Sequence, residues 1–264
     1  VTKSFQGHVS PDVASYIQNT QYISGNKCGA VLNADKNTLI QGQPMDYTND
    51  GVSYYFEWTG DGVVDGWTGQ PYTLTGGGAG GCQGGSGLSA LGGSIRDGEL
   101  VGDEPIRHAL KLVVFCHTTC SKYENKGYRW PARKADSYWQ DGYNPWCPAC
   151  GDNSYNGSVN DTTMGSLLAL KPDEDLSGIT DPKAKKVAQA LKDYGAYIVD
   201  DSATTKYHIS IDALAIKNDL GGDSFLGSHP AFQQQLIDLM PKLHVVTNNS
   251  PTTIGGGGNP LVCL

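Results

Sequence analysis

The sequence predicts a mainly β protein, a jelly-roll-like β-sandwich with two or three accessory helices and one long disulfide-stapled loop. Three observations predict it. Short β-branched or aromatic runs alternate with Gly-rich turns, few segments have helical periodicity, and the 264 residues include 35 Gly and 7 Cys. Soluble domains average about 7% Gly and about 25% charged residues. This chain has only 17% charged residues and a net charge of −8. Such a balance disfavours a nucleic-acid binder, which carries a basic patch. No run of about 18 apolar residues is present, so no helical membrane insertion is expected. No linker or repeat interrupts the chain, and residues 1–264 read as one domain.

The elements follow from local chemistry. Ser10 and Pro11 suit the start of a short helix over 9–19, with Val13, Ala14 and Ile17 on its apolar face. Residues 30–40 and 53–58 read as strands, and 76–87 as a Gly-rich excursion. Lys111–Phe115 is an apolar strand. Residues 116–160 form a polar and aromatic loop, long enough to suggest function. Strand character resumes at Ser166–Leu170. A helix is predicted over 182–194, capped by Asp181, opened by Pro182 and closed by Gly195, with Val187, Ala188, Leu191 and Tyr194 on one face. Strands follow at 196–199 and 207–211, then a helix at 230–240 with Phe232, Leu236, Ile237 and Met240 inward, then a strand at 243–246.

The cysteines are Cys28, Cys82, Cys116, Cys120, Cys147, Cys150 and Cys263. An odd count leaves one free or joined to another chain. Cys147-Pro148-Ala149-Cys150 has thioredoxin-like spacing, but loop residues follow it where that motif needs a helix. Cys116 and Cys120 with Cys147 and Cys150 have the spacing of a thiolate zinc site, with His117 as an alternative ligand. Disulfides that staple the 116–160 loop are the reading adopted, with no metal and no cofactor. Their connectivity stays open. Cysteine number and a first residue Val1 suggest a processed, secreted, extracellular chain. Asn156, Asn160 and Asn248 head N-glycosylation sequons in polar stretches, as in a glycoprotein.

Several segments occur in a familiar order. They are Leu91-Gly92-Gly93-Ser94-Ile95-Arg96, Ile106-Arg107-His108-Ala109-Leu110, Tyr128-Arg129-Trp130-Pro131-Ala132-Arg133 and Leu191-Lys192-Asp193-Tyr194-Gly195-Ala196-Tyr197-Ile198-Val199-Asp200-Asp201. Over about residues 54–260 the chain resembles a family of secreted, largely uncharacterised microbial proteins. The resemblance implies a secreted, β-rich fold and carries no reaction. The 116–150 loop is longer here than in that pattern, so no site is carried over there.

Candidate chemistry centres on His108, Tyr128 and Arg133 as acid, base or charge-stabilising groups. Arg129, Trp130, Trp139 and Asp200 are candidate ligand contacts, because sugar rings stack on aromatic faces while charged groups bind hydroxyls or uronates. Glycoside hydrolysis needs two carboxylates about 5 to 9 Å apart. Glu57, Asp61, Asp65, Glu99, Asp136, Asp200 and Asp201 are candidates, and no spacing selects a pair. Asp200 and Asp201 are adjacent on a strand, where neighbours point to opposite faces. No nucleophile elbow, phosphate loop or EF-hand is complete. Two expectations result. One is a secreted protein that binds or processes a polysaccharide, of lyase or glycosidase type. The other is a structural or adhesive glycoprotein that self-assembles into a polymer or surface layer.

Overall fold

The computed structural model describes short strand segments and Lys36 in the N-terminal part, then Gly81 and residues 83–143, 151–202, 205–223 and 226–257. The helix expected at 9–19 and Cys28, Cys82, Cys147, Cys150 and Cys263 lie outside the described residues.

Six N-terminal strands form two antiparallel three-stranded sheets. β1 (Lys3–Gln6), β5 (Ser53–Phe56) and β4 (Met45–Tyr47) make one, with β5 central. β2 (Gly29–Leu32), β3 (Thr38–Gly42) and β6 (Pro71–Thr73) make the other, with β3 central. The single strand expected over 30–40 is therefore a hairpin, β2 pairing β3 from Gly29↔Gly42 to Leu32↔Leu39. Lys36, at φ +56°, lies between the two strands.

The rest of the chain builds a five-stranded mixed sheet. β7 (Leu110–Val114) runs parallel to β9 (Ala196–Asp201). β8 (Leu167–Ala169) is antiparallel to β9, and β11 (His244–Val245) to β8. β10 (His208–Ile209) pairs antiparallel with β7, so the order is β10-β7-β9-β8-β11. Both edge strands have two residues, which leaves little open ladder for another chain to extend. The parallel pair needs a crossover. It is supplied by β8 and the helix α2 (Pro182–Asp193), which follows a one-turn helix α1 (Cys116–Thr119).

α2 forms where the sequence predicts it. Asp181 accepts hydrogen bonds from the Lys183 and Ala184 amides at 2.9 and 3.0 Å, and Pro182 occupies the first turn. Gly195 ends the helix at φ +74°, and the Tyr194 and Gly195 amides both donate to Ala190 O. Ala184, Val187, Ala188 and Leu191 recur on one face and are buried with Leu110, Leu112, Val114, Ala196 and Ile198. On this side the cover of the sheet is helical, where a sandwich would place a second sheet. α3 (Ala213–Asp219) lies in a segment whose sequence carries no strong helical signal. α4 (Pro230–Leu239) packs on α2 and ends in a 3₁₀ turn, Met240–Lys242. Phe232 and Leu239 are its buried anchors, whereas Ile237, expected inward, is 51% exposed.

Cys116 and Cys120 form a disulfide. It closes one helical turn and does not span the 116–160 excursion. Because their sulfurs are bonded to each other, the two are not ligands of the four-thiolate site that their spacing allows. No helix among the described residues is long and apolar enough to cross a membrane.

Leu191 sits at the centre of the sheet–helix contact and is fully buried. Leu191→Ala is expected to cost about 2–5 kcal/mol, and Asp181→Ala about 0.5–2 kcal/mol. Urea unfolding of both variants checks this. A Leu191→Ala loss no larger than that of an exposed substitution would contradict the packing.

Candidate functional site

The carboxyl ends of β7 and β9 lie side by side, the place where open α/β sheets gather functional groups. Here the register slips. Leu112 pairs with Ile198 but Val113 pairs with Asp200, so Val199 is an extra residue on β9. The bulge re-aims the strand end and puts Asp200 and Asp201 one step away from simple alternation. Asp200 Oδ1 accepts from the Gly85 and Asp201 amides at 2.8 and 3.0 Å. Asp201 Oδ1 accepts from the Cys116 amide at 2.9 Å, and its Oδ2 from the Tyr138 hydroxyl at 3.0 Å.

Asp136, from the 116–160 excursion, joins them. Its Oδ2 accepts from the Tyr155 hydroxyl at 2.6 Å, and the Asp136 amide donates back to that hydroxyl oxygen at 3.4 Å. Burial, then the charge of Asp200, raises the Asp136 carboxyl above the ordinary carboxylate range. Burial does the same to Asp200, against the opposing hydrogen bonds from Gly85 and Asp201. Burial and the neighbouring acids also hold the Tyr138 and Tyr155 hydroxyls protonated, as donors. The turn at Gly84 and Gly85 lies directly over the acids. A Cβ at Gly84, where φ is +27°, would fall 1.8 Å from Asp200 Cγ, and one at Gly85 would fall 2.4 Å from Asp136 Oδ2. Only glycine allows this approach. The acids are thus enclosed by the turn and act as a structural knot.

The same turn leads into the wall of a pocket of about 320 Å³ beside the sheet. Trp130, Pro131, Tyr197, Val199, Lys111 and Ile254 line it, together with residues 88, 89, 92 and 93. Trp130 and Tyr197 are each partly exposed, and the Trp130–Pro131 peptide is cis. Lys111 is 3% exposed, and its Nζ donates to Ala90 O at 2.7 Å, Gln83 Oε1 at 3.2 Å and Ser89 O at 3.3 Å. Burial lowers its ammonium to about 8, although Asp212 opposes the shift. Gln41 of β3 reaches the same rim, where its Oε1 accepts from the Ala90 amide at 2.6 Å and the Ser89 hydroxyl at 3.2 Å. Behind Tyr197, the buried Asn249 accepts from the Tyr197 hydroxyl at 3.4 Å and the Gly255 amide at 2.9 Å. Its Nδ2 has no partner among the described residues.

The residues expected to carry chemistry are dispersed. His108 Nδ1 faces Ala109 O at 2.9 Å and Nε2 faces Glu99 Oε2 at 3.1 Å, so both ring nitrogens meet acceptors within the chain. His108 lines a separate open hollow of about 550 Å³ with Arg96, Glu99, Glu104, Pro105 and Arg107. Neither Tyr128 nor Arg133 lines that hollow. Tyr128 makes an isolated bridge with Met164, and Arg133 is exposed while its amide donates to Ser86 O. Arg129 is tied to the backbone, its Nη2 donating to Thr247 O at 2.8 Å and its Nη1 to Asp161 O at 3.3 Å, and it lies over the Tyr123 ring. Trp139 packs against the core and covers Gly127. Trp130 alone of the expected ligand contacts lines the aromatic pocket, and Asp200 lies in the acidic knot. Asn156, Asn160 and Asn248 are all exposed. Lys111 and Tyr197, which strand pairing brings to the pocket, and Tyr138 and Tyr155, which the excursion brings to the acids, carry no functional signal in the sequence. Comparison with family models, curated proteins and solved structures finds no match for this chain.

The acids fix a sign for stability against pH. Above the ordinary carboxylate range, the unfolded chain has lost protons that folded Asp136 and Asp200 still hold. Stability therefore falls as pH rises from about 4 through the raised native midpoints. Asp136→Asn, whose amide oxygen still accepts from Tyr155, is expected to flatten that fall. Thermal melts of both proteins across this interval check it. Lys111 acts oppositely: the folded state sheds its proton first, so its contribution rises with pH between about 8 and 10.5.

Proposed function

We propose that this is a secreted, extracellular protein that binds a polysaccharide in the Trp130 pocket. The observation that carries the reading is the partly exposed Trp130–Pro131 corner facing Tyr197 across an open pocket of about 320 Å³. Aromatic faces stack on the C–H faces of sugar rings, and a few polar groups then fix orientation. Ser89, Tyr197 and Lys111 also line that wall, but the Ser89 hydroxyl and the Lys111 ammonium are held within the chain, so the pocket presents chiefly aromatic and apolar faces. The Cys116–Cys120 disulfide supports an oxidising compartment. The expected sandwich and the resemblance to secreted microbial proteins belong to the same reading, with β3 tied to the pocket rim through Gln41. Binding is favoured over lyase or glycosidase chemistry because His108 and the acids of the knot are engaged within the chain.

A panel of neutral and acidic polysaccharides, read by affinity electrophoresis and by the appearance of new chain ends, tests this reading. At least one member is expected to bind without cleavage, and Trp130→Ala to weaken it about tenfold, near 1.4 kcal/mol. No binding across the panel, or binding indifferent to Trp130→Ala, rejects the pocket assignment.

A second reading, self-assembly into a polymer or layer, is favoured by large apolar side chains left in solvent. Val101, Val159 and Ile237 are 56%, 56% and 51% exposed, and Tyr143 is 67% exposed. The odd cysteine count allows a link between chains. Light scattering and electron microscopy with and without reductant decide it. Fibres or regular particles establish this reading, and a monomer at high concentration removes it.

A further inference from the structure

We propose that the Asp136–Asp200–Asp201 cluster is a proton-operated latch on the turn at 83–88, closed in mildly acidic solution and loosened as the acids ionise. The turn is gripped from two sides. From β9, Asp200 Oδ1 takes the Gly85 amide at 2.8 Å and Val199 O takes the Ser86 amide at 3.1 Å. From the opposite segment, the Arg133 amide donates to Ser86 O at 3.0 Å, and three residues later Asp136 sits under Gly85. The chain then passes into Leu88 and Ser89 on the pocket wall. Loosening the turn therefore moves one wall of the Trp130 pocket.

Among the described residues, the charges around the latch come from the excursion and from the end of β9. Asp136 and Lys134 belong to one irregular segment of the excursion, Tyr138 and Tyr155 supply hydroxyl donors, and Asp200 and Asp201 end β9. Each tyrosine hydroxyl donates its one proton, to Asp136 and to Asp201. Lys134 offsets part of the charge when all three acids ionise. The remaining repulsion has one ready outlet. Gly84 and Gly85 lie so close over the carboxylates that hydrating this side of them requires lifting the turn.

The latch is read without ligand, whereas its consequence for the pocket rests on the glycan reading. Hydrogen exchange of the full chain, with EDTA present, follows the peptide spanning 83–90 between about pH 5 and about pH 7.5, after correction for intrinsic exchange. This range stays below the Lys111 midpoint of about 8, which would loosen Ser89 and Ala90 separately. In the wild type, protection of the Gly85 and Ser86 amides is expected to fall about tenfold relative to α2. In Asp136→Asn it is expected to change less than about twofold. A flat wild-type profile, or an Asp136→Asn variant that falls like the wild type, overturns the latch. If that variant does not fold, carboxyl carbon resonances of the wild type decide the matter. The Asp136 and Asp200 midpoints must coincide with the loss of protection, and a mismatch overturns it. Where a polysaccharide binds, its affinity is expected to fall over the same range. Protection that falls while affinity stays constant overturns the link to the pocket. Absence of any binding rejects the glycan reading and leaves the latch standing.

Discussion

Asp200 at the end of β9 is the contact on which the surrounding structure depends. One carboxylate oxygen takes two backbone amides, one from its neighbour Asp201 and one from Gly85, 115 residues earlier in the chain. That long-range bond brings a Gly-rich turn down onto the sheet. Its energetic setting is unusual. A buried carboxylate is costly without donors, and here it also has acids beside it. The structure meets the cost with amide and phenol donors and with carboxyls that retain protons more readily than usual. The result is a knot that joins β9, the turn at 83–88, the excursion at 133–138 and the start of α1.

The knot and Lys111 hold opposite ends of the same wall. Asp200 anchors the turn at Gly85, and the Lys111 ammonium anchors it again at Gln83, Ser89 and Ala90. Between these anchors the backbone cannot relax toward solvent without breaking a hydrogen bond to a buried group, and those of the Lys111 ammonium are charge-assisted and stronger than neutral ones. The aromatic side of the pocket is fixed differently. Tyr197 rises from β9 itself, and Asn249 ties its hydroxyl to the turn that carries Ile254. One wall thus rests on ionisable groups and the other on sheet and amide contacts.

How far the sequence was legible varies by element. α2 was readable to within a residue, because Asp181, Pro182, the Val187–Leu191 face and Gly195 all state the same thing locally. β7 and β9 were readable because apolar runs of that length are buried wherever they occur. The hairpin of β2 and β3 differs from the single strand expected, and Asn33, Asp35 and Asn37 between the apolar runs are the turn-favouring residues that mark it in the sequence. Ile237 was misplaced because a helix tip near solvent buries fewer positions than its periodicity suggests. The acids are visible in the sequence as residue types, yet no spacing unites Asp136 with Asp200 and Asp201. His108, Tyr128 and Arg133 lie close in the chain, but proximity along the chain did not place them around one hollow.

The sequence by itself determined what depends on neighbours within a few residues: the cap and stop of α2, the strands β7 and β9, and the acidic, charge-poor surface. It also singled out Trp130 by the chemistry of its side chain, and the fold places that residue in the lining of the pocket beside the sheet. Tertiary structure alone decided the order β10-β7-β9-β8-β11, the parallel pairing and the unmatched Val199. It also decided the meeting of Asp136 with Asp200 across 64 residues. The physical reason is range. Capping and periodicity act through bonds a turn long, whereas strand register and buried charge are settled only when distant segments compete for the same space and the same donors.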